Sequence, residues 1–258
     1  MGFLDNEEVL CEVTENHLNT GLRGIPVGTC RTSFVTPDEG VHYCGYPIRE
    51  LVDISPEDVI YLLFNKELPN AEQSAKFRAN LAARAQLPDG VENVLRSLPK
   101  NGHPMDWLSV GIHTLGMYET TGDWLEDALN LIARMPRLMG LIFRYRDGRE
   151  TDIPGDDVSQ TLVDRFVNTL DLENIDKAKM ARVVSTYLVL HMDHGGGNLS
   201  TFTGKSIASG KATIYSAIAG AMNALSGPLH GRANQSCLEF VLKVGTSDED
   251  EVEKFVRN

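Results

Sequence analysis

Between two histidine motifs, each flanked by glycine, the chain carries a segment with almost no side-chain bulk. Ser216, Ala217, Gly220, Ala221 and Ala224 recur three and four apart within residues 212–225, so they share one face of a helix. Such a face lets a second helix approach closely, which marks a tightly packed element rather than a surface helix. Before it stands His191-Met192-Asp193-His194-Gly195-Gly196-Gly197-Asn198-Leu199-Ser200, and after it Gly227-Pro228-Leu229-His230-Gly231. The helix therefore holds two histidine-bearing loops at a fixed separation.

The remaining punctuation is also helical. Ser55 as N-cap, Pro56 in the first helical position and Asp58 three after the cap predict a helix continuing over residues 59–68. Asn70 opens another, running to Gln86. Pro104 begins a helix through Leu108, Ile112 and Leu115 to Tyr118, and Gly122 introduces one from Trp124 toward Tyr145, with Pro136 as the place where it would kink. Residues 157–170 and 176–191 complete the series before the histidine motifs. The β-rich runs 33–36 and 41–44, joined by Pro37-Asp38-Glu39-Gly40, predict a single hairpin. After His230 a helix over 235–244 closes at Gly245, and Ser247, Asp248 and Glu249 open an acidic helix that the chain leaves at Asn258. An isolated helix that short is marginal in water, so the chain reads as cut off inside an element. The architecture is predominantly α-helical, with short connections and no repeat or linker.

Composition excludes several functions. The 258 residues carry 24 Lys and Arg against 36 Asp and Glu, a formal charge of −12, which argues against a nucleic-acid partner needing clustered phosphate contacts. Cys11, Cys30, Cys44 and Cys237 are scattered with no Cys-x-x-Cys pair, suggesting neither a disulfide framework nor a zinc site and favouring a reducing compartment. No signal-peptide pattern or membrane-length apolar run is present, and Asn6 departs from the myristoylation pattern that Gly2 would begin, so a cytoplasmic protein without a membrane partner is expected.

At both histidine motifs the sequence resembles the citrate synthase family, whose His-x-Asp-His, short turn, Asn-x-Ser, small-residue helix, Gly-Pro-Leu-His-Gly and Ala-Asn are matched from His191 to Ser200 and from Gly227 to Asn234. The likeness extends to His103-Pro104-Met105, to Phe143-Arg144-Tyr145-Arg146-Asp147-Gly148 and to Tyr43-Cys44-Gly45-Tyr46-Pro47-Ile48, and so covers nearly the whole chain. Gly195 is a departure, standing where the family usually has Glu. The resemblance implies an all-α fold: a large helical domain over residues 1–230, incomplete without a C-terminal part and bearing the small N-terminal hairpin, then the start of a smaller helical domain over 231–258. It implies an acyltransferase that condenses acetyl-CoA with oxaloacetate through an enol, with acetyl-CoA as co-substrate and no permanently bound cofactor or metal. It also implies a homodimer in which each active site borrows an arginine from the partner.

Making a carbanion equivalent from a thioester needs a base at the methyl group and a hydrogen-bond donor at the carbonyl oxygen. Pro228 as a helix start would put His230 in a first turn, where the dipole and the unpaired N–H groups disfavour imidazolium. By resemblance His230 is catalytic, His194 binds oxaloacetate, Asn198 lies in the same pocket and Arg23 lies near the coenzyme A phosphates. By position alone His230 could equally be a first-turn polar residue, Arg23 a solvated loop arginine, and the His191 to Ser200 stretch a glycine-rich C-cap. Arg144 and Arg146 read as surface charge at a helix end. Gly204-Lys205-Ser206 is no phosphate loop, because position 199 is Leu where that loop needs Gly.

The family's second catalytic histidine, its catalytic aspartate and its substrate-clamping arginines come later in the chain, and no histidine follows His230 here. The resemblance thus implies that this polypeptide alone is inactive. Three alternatives stand beside it: 2-methylcitrate synthesis from propionyl-CoA, a non-catalytic helical dimerisation module, and a metalloenzyme at His191, Asp193, His194 and His230. The small-residue face, with the helix from Pro104 bearing Ser109, Gly111, Ile112 and Gly116, is expected near a homodimer two-fold; burial of both helices within one subunit is the competing reading.

Overall fold

The computed structural model describes residues 9–19, 25–26, 28–193 and 198–257. A 3-10 turn at Glu15–Asn19 leads to strands β1 (Ser33–Thr36) and β2 (Gly40–Tyr43), which pair antiparallel with Ser33 opposite Tyr43. A further short strand, β3 (Tyr46–Pro47), pairs with β2, so the expected single hairpin is a three-stranded meander. Its second turn uses Cys44 and Gly45, both at positive φ, the geometry of a two-residue hairpin turn.

Helices follow without interruption by sheet. They are α1 (Ile48–Leu51), α2 (Pro56–Asn65), α3 (Ala71–Ala83), α4 (Asp89–Ser97), α5 (Pro104–Glu119), α6 (Trp124–Arg146), α7 (Leu162–Leu170), α8 (Lys177–Leu190), α9 (Leu199–Ser209), α10 (Ile214–Leu225), α11 (Ala233–Val244) and α12 (Glu249–Arg257). The capping chemistry explains most starts. The Ser55 hydroxyl accepts from Asp58 N–H at 3.2 Å, and Asn70 and Gln73 form a reciprocal capping box at 2.9 Å in each direction. Lys66, in the left-handed region, ends α2 before the predicted Leu68. Helix α6 runs through Pro136 as one continuous element.

The core has three joined parts. Trp107, Ile112, Leu115, Leu138, Leu141 and Tyr145 fill the centre where α5 crosses α6, with Tyr215 of α10 against them. Tyr43, Leu51, Val59, Leu62 and Val189 tie the meander to α2 and α8, and Phe77, Leu81, Leu129, Ala133 and Leu162 join α3, α6 and α7.

Two expectations change here. Arg144 is buried at 4% exposure, donating to the carbonyls of Thr151 and Asp152 at 3.1 and 3.3 Å, so it is an internal clamp rather than surface charge. Arg146 donates to Gly102 O at 2.9 Å. The small-residue face of α10 meets α9 of the same chain: a Cβ on Gly204 would lie 3.4 Å from Ala221 Cβ, and one on Gly220 would lie 2.2 Å from Ile207 Cδ1. The opposite side of α10 packs on α5, where Gly116 abuts Tyr215. The close approach that the sequence foretold is made within one subunit, while α5 keeps an exposed side at Val110 and Met117. Helices α11 and α12 bury no residue and touch through Phe240 and Phe255, whose ring centroids are 5.7 Å apart. Among the described residues no helix is long and apolar enough to cross a membrane.

Candidate active site

The end of α8 and the start of α9 converge beneath the meander. Tyr43, fully buried, donates its hydroxyl to Val189 O at 2.9 Å and accepts from Asp193 N–H at 3.2 Å. The Asp193 carboxylate takes two hydroxyl donors from the start of the meander, Thr32 Oγ1 and, at 2.8 Å, Ser33 Oγ. His191 is the C-cap of α8. Its Nδ1 lies 2.8 Å from Tyr187 O, and its ring stacks on Tyr187 with centroids 4.1 Å apart.

Asn198 is the N-cap of α9. Its Oδ1 accepts Thr201 N–H at 2.8 Å, which identifies that atom as the acceptor oxygen, and it also accepts the Ser200 hydroxyl at 2.8 Å. Ser200 Oγ in turn lies 2.8 Å from His230 Nε2. A hydroxyl has one proton, and here that proton is directed to Asn198. Ser200 therefore accepts from Nε2–H, and in neutral His230 the other nitrogen, Nδ1, carries the lone pair. Turning the Ser200 proton onto Nε2 would reverse this polarity and make Nδ1 the donor, at the cost of one hydrogen bond, about 1 kcal/mol.

His230 does not sit in a helical first turn. Residues 227–232 form consecutive turns, with His230 N–H on Gly227 O at 3.0 Å and Ala233 N–H on His230 O at 3.1 Å, and α11 begins at Ala233. The first backbone N–H groups of that helix lie beyond His230, so the expected first-turn placement is not what the structure shows. The half-buried ring is reachable, and the adjoining Leu229 is wholly exposed.

A cavity of about 560 Å³ lies beside this relay, bounded by His191, Asp193, Asn198, Ser200 and Lys205 on one side and by the α10 residues Ala217 and Ala221 on the other. Among its described lining residues Lys205 is the one lysine or arginine. Its ammonium also donates to Thr29 O at 3.1 Å. Two predicted site residues, Arg23 and His194, lie outside the described residues. The metal alternative finds no set of ligands among the described residues: no three His, Cys, Asp or Glu side chains come together there. Ser200 has no assigned role in the sequence motif; the Asn198 to Thr201 spacing, that of an N-cap and its N3 residue, is the signal that announces α9 and brings Ser200 into the site.

A family model described as citrate synthase, C-terminal domain, matches residues 21–258. The chain belongs to the citrate synthase family. The mitochondrial citrate synthase of Saccharomyces cerevisiae is 31% identical over 280 residues, covering 96% of this chain and 57% of that protein. The citrate synthase of Haloferax volcanii is 34% identical over 248 residues, covering 92% and 64%. Among solved structures, the citrate synthase from Thermotoga maritima superposes with a TM-score of 0.78 at 28% identity, over 92% of this chain and 63% of that one. The chain thus spans roughly half to two thirds of the length of these citrate synthases, and the His230–Ser200–Asn198 relay falls within the matched region.

Proposed function

We propose that the intact protein containing this chain condenses acetyl-CoA with oxaloacetate to give citrate and CoA. The observation that carries this reading is the His230–Ser200–Asn198 relay beside the cavity, in a chain of this family. Deprotonating the thioester methyl moves charge onto the carbonyl oxygen, and a hydrogen bond from His230 stabilises the resulting enol. The relay supplies that donor when Ser200 turns its proton toward Nε2, while Thr201 N–H keeps Asn198 Oδ1 paired. His194 and Asn198 would hold oxaloacetate, and Arg23 would meet the coenzyme phosphates. One lysine does not neutralise a dicarboxylate, so further cationic groups are needed beyond the lining of this cavity. The ternary complex of carboxymethyl coenzyme A and oxaloacetate with the citrate synthase from Thermoplasma acidophilum, a protein sharing this fold with a TM-score of 0.80, makes both substrates apt ones to test.

The proposal includes a division of the chain into a large helical unit over 1–230 and the start of a second over 231–258, a cytoplasmic location and a homodimer. With the small-residue face of α10 occupied by α9, the dimer contact falls to the outer side of α5, where Val110 is 37% and Met117 83% exposed. Light scattering decides the oligomer, and a monomer at micromolar concentration overturns it.

The activity test is CoA release by the intact protein, dependent on both substrates. His230→Gly should depress kcat with a smaller change in affinity, and His194→Ala should chiefly raise KM for oxaloacetate. The reverse pattern exchanges their roles. Equal or faster turnover of propionyl-CoA moves the assignment to 2-methylcitrate synthesis, and no turnover of either thioester leaves the non-catalytic module. The 258-residue chain alone should give no sustained turnover.

A further inference from the structure

We infer that Asp193 is a positioning residue, tying the strap formed by residues 29–33 to the floor of the active-site cavity without touching substrate. The inference rests on the condensation reading above. Three connections carry it. Thr32 and Ser33 both spend their single hydroxyl protons on the Asp193 carboxylate, across 161 and 160 residues of sequence. Asp193 N–H is held by the Tyr43 hydroxyl, which is itself anchored to the last turn of α8 through Val189 O. The strap then reaches α9, because Thr29 O accepts Lys205 Nζ at 3.1 Å, and it is fixed to the meander through Cys44 N–H on Thr32 O at 2.7 Å.

Asp193 is therefore a wall shared by two spaces. On one side lies the 560 Å³ cavity with Asn198 and Ser200; on the other lies a smaller one of about 360 Å³, lined by Thr29, Cys30, Arg31 and Thr32 of the strap and by Thr201 and Lys205 of α9. A carboxylate bordering a pocket for a dianion is an electrostatic liability if it faces in. The hydroxyl donors Thr32 and Ser33 hold its oxygens toward the strap. The same bonds fix the backbone at residue 193.

The test is kinetic and uses the intact protein with oxaloacetate and acetyl-CoA. Asp193→Ala and the Thr32→Val/Ser33→Ala pair should each raise KM for oxaloacetate about tenfold, the size of a lost hydrogen bond to a charged group, with KM for acetyl-CoA moving less than about twofold. The triple variant should be no worse than Asp193→Ala, since all three act through one contact. Asp193→Asn should restore most of the loss, because an amide still pairs with two hydroxyls. A fall in Tm with KM unchanged, additive losses, or a lower KM in Asp193→Asn would each overturn the inference. Hydrogen exchange on the apo protein separates this failure from failure of the reaction reading: the amides of residues 29–33 and 193 should lose protection in Asp193→Ala. Unaltered exchange refutes the tether, whereas absent turnover in the wild type with altered exchange refutes the reaction.

Discussion

Replacing Gly116 by alanine tests whether the α5–α10 contact sets the position of the histidine loops. A Cβ built on Gly116 would lie 2.7 Å from Tyr215 Cβ, 2.8 Å from Cγ and 3.1 Å from Cδ2. Carbon atoms pack at about 3.5–4.0 Å, so relief requires a movement approaching an ångström. The obstruction is the root of the tyrosine, not its tip, and the tip is fixed: Tyr215 is 1% exposed, its hydroxyl donates to Glu119 at 2.6 Å, and Glu119 pairs with Arg134 at 2.8 Å. The helices must therefore separate, and with three atoms at the ring root in the way the overpacking costs about 2–3 kcal/mol, while alanine returns about 1 kcal/mol of helix propensity. The net is a loss of about 1–2 kcal/mol, which in a chain of this size lowers Tm by roughly 2–8 °C. Gly220→Ala is the matched control. Its Cβ would meet only Ile207 Cδ1 at 2.2 Å, with Cγ1 already at 3.7 Å, so rotation of one terminal methyl relieves it. Propensity then leaves stability within about 1 kcal/mol of wild type. Calorimetry of both variants under one buffer decides the matter. A Gly116→Ala protein as stable as wild type, or less damaged than Gly220→Ala, would refute the rigid-contact argument.

Two further substitutions probe buried charge. Burial pushes the Asp127 carboxyl up, but hydrogen bonds from Thr121 N–H, Thr121 Oγ1 and Thr120 Oγ1 at 2.8–2.9 Å outweigh it and hold the group below its ordinary 3.8. A depressed value contributes stability above the unfolded pKa that is lost as pH falls through the folded one. Asp127→Asn should therefore destabilise by about 1–3 kcal/mol at neutral pH, and the gap to wild type in urea unfolding should narrow below pH 3.8; a constant gap would contradict the assignment. Arg165, 2% exposed, pairs with Asp156 at 2.8 Å and donates to Ala133 O at 2.8 Å, so Arg165→Met should cost about 3–5 kcal/mol, measured the same way, and a loss below about 1 kcal/mol would show that the pair is dispensable.

Helix starts were legible where a side chain performs the capping locally. Ser55, Asn70 and Pro104 each act within a few residues of themselves, and each helix begins where the sequence placed it. Helix α4 was not read, because its buried face is only Val91 and Leu95 and its N-cap, Pro88, makes no side-chain bond. The α10 face was legible as a close-packing surface but not as to its partner, since small residues specify a distance and not an identity. Gly204 and Ile207, which meet it, lie in the helix that went unread.

The same gap explains what was missed in the site. Reading Pro228 as a helix start followed proline's preference for the first helical position, but the chain turns at Gly227–His230 and His230–Ala233 before α11. Once α9 is in place, Asn198 has a different reach from that of an isolated pocket residue. As N-cap it must present its oxygen to Thr201 N–H, and that obligation orients Ser200, which orients His230. A capping rule thus orients the hydroxyl that faces the imidazole. The Asp193 contacts had no such local trace, because Thr32 and Ser33 are brought to it only when the meander docks on α8, and nothing in a run of residues near position 32 signals a carboxylate at 193. What sequence resolves in this site is whatever a helix end can impose on its own neighbours. What it leaves unresolved depends on two distant segments sharing one set of protons.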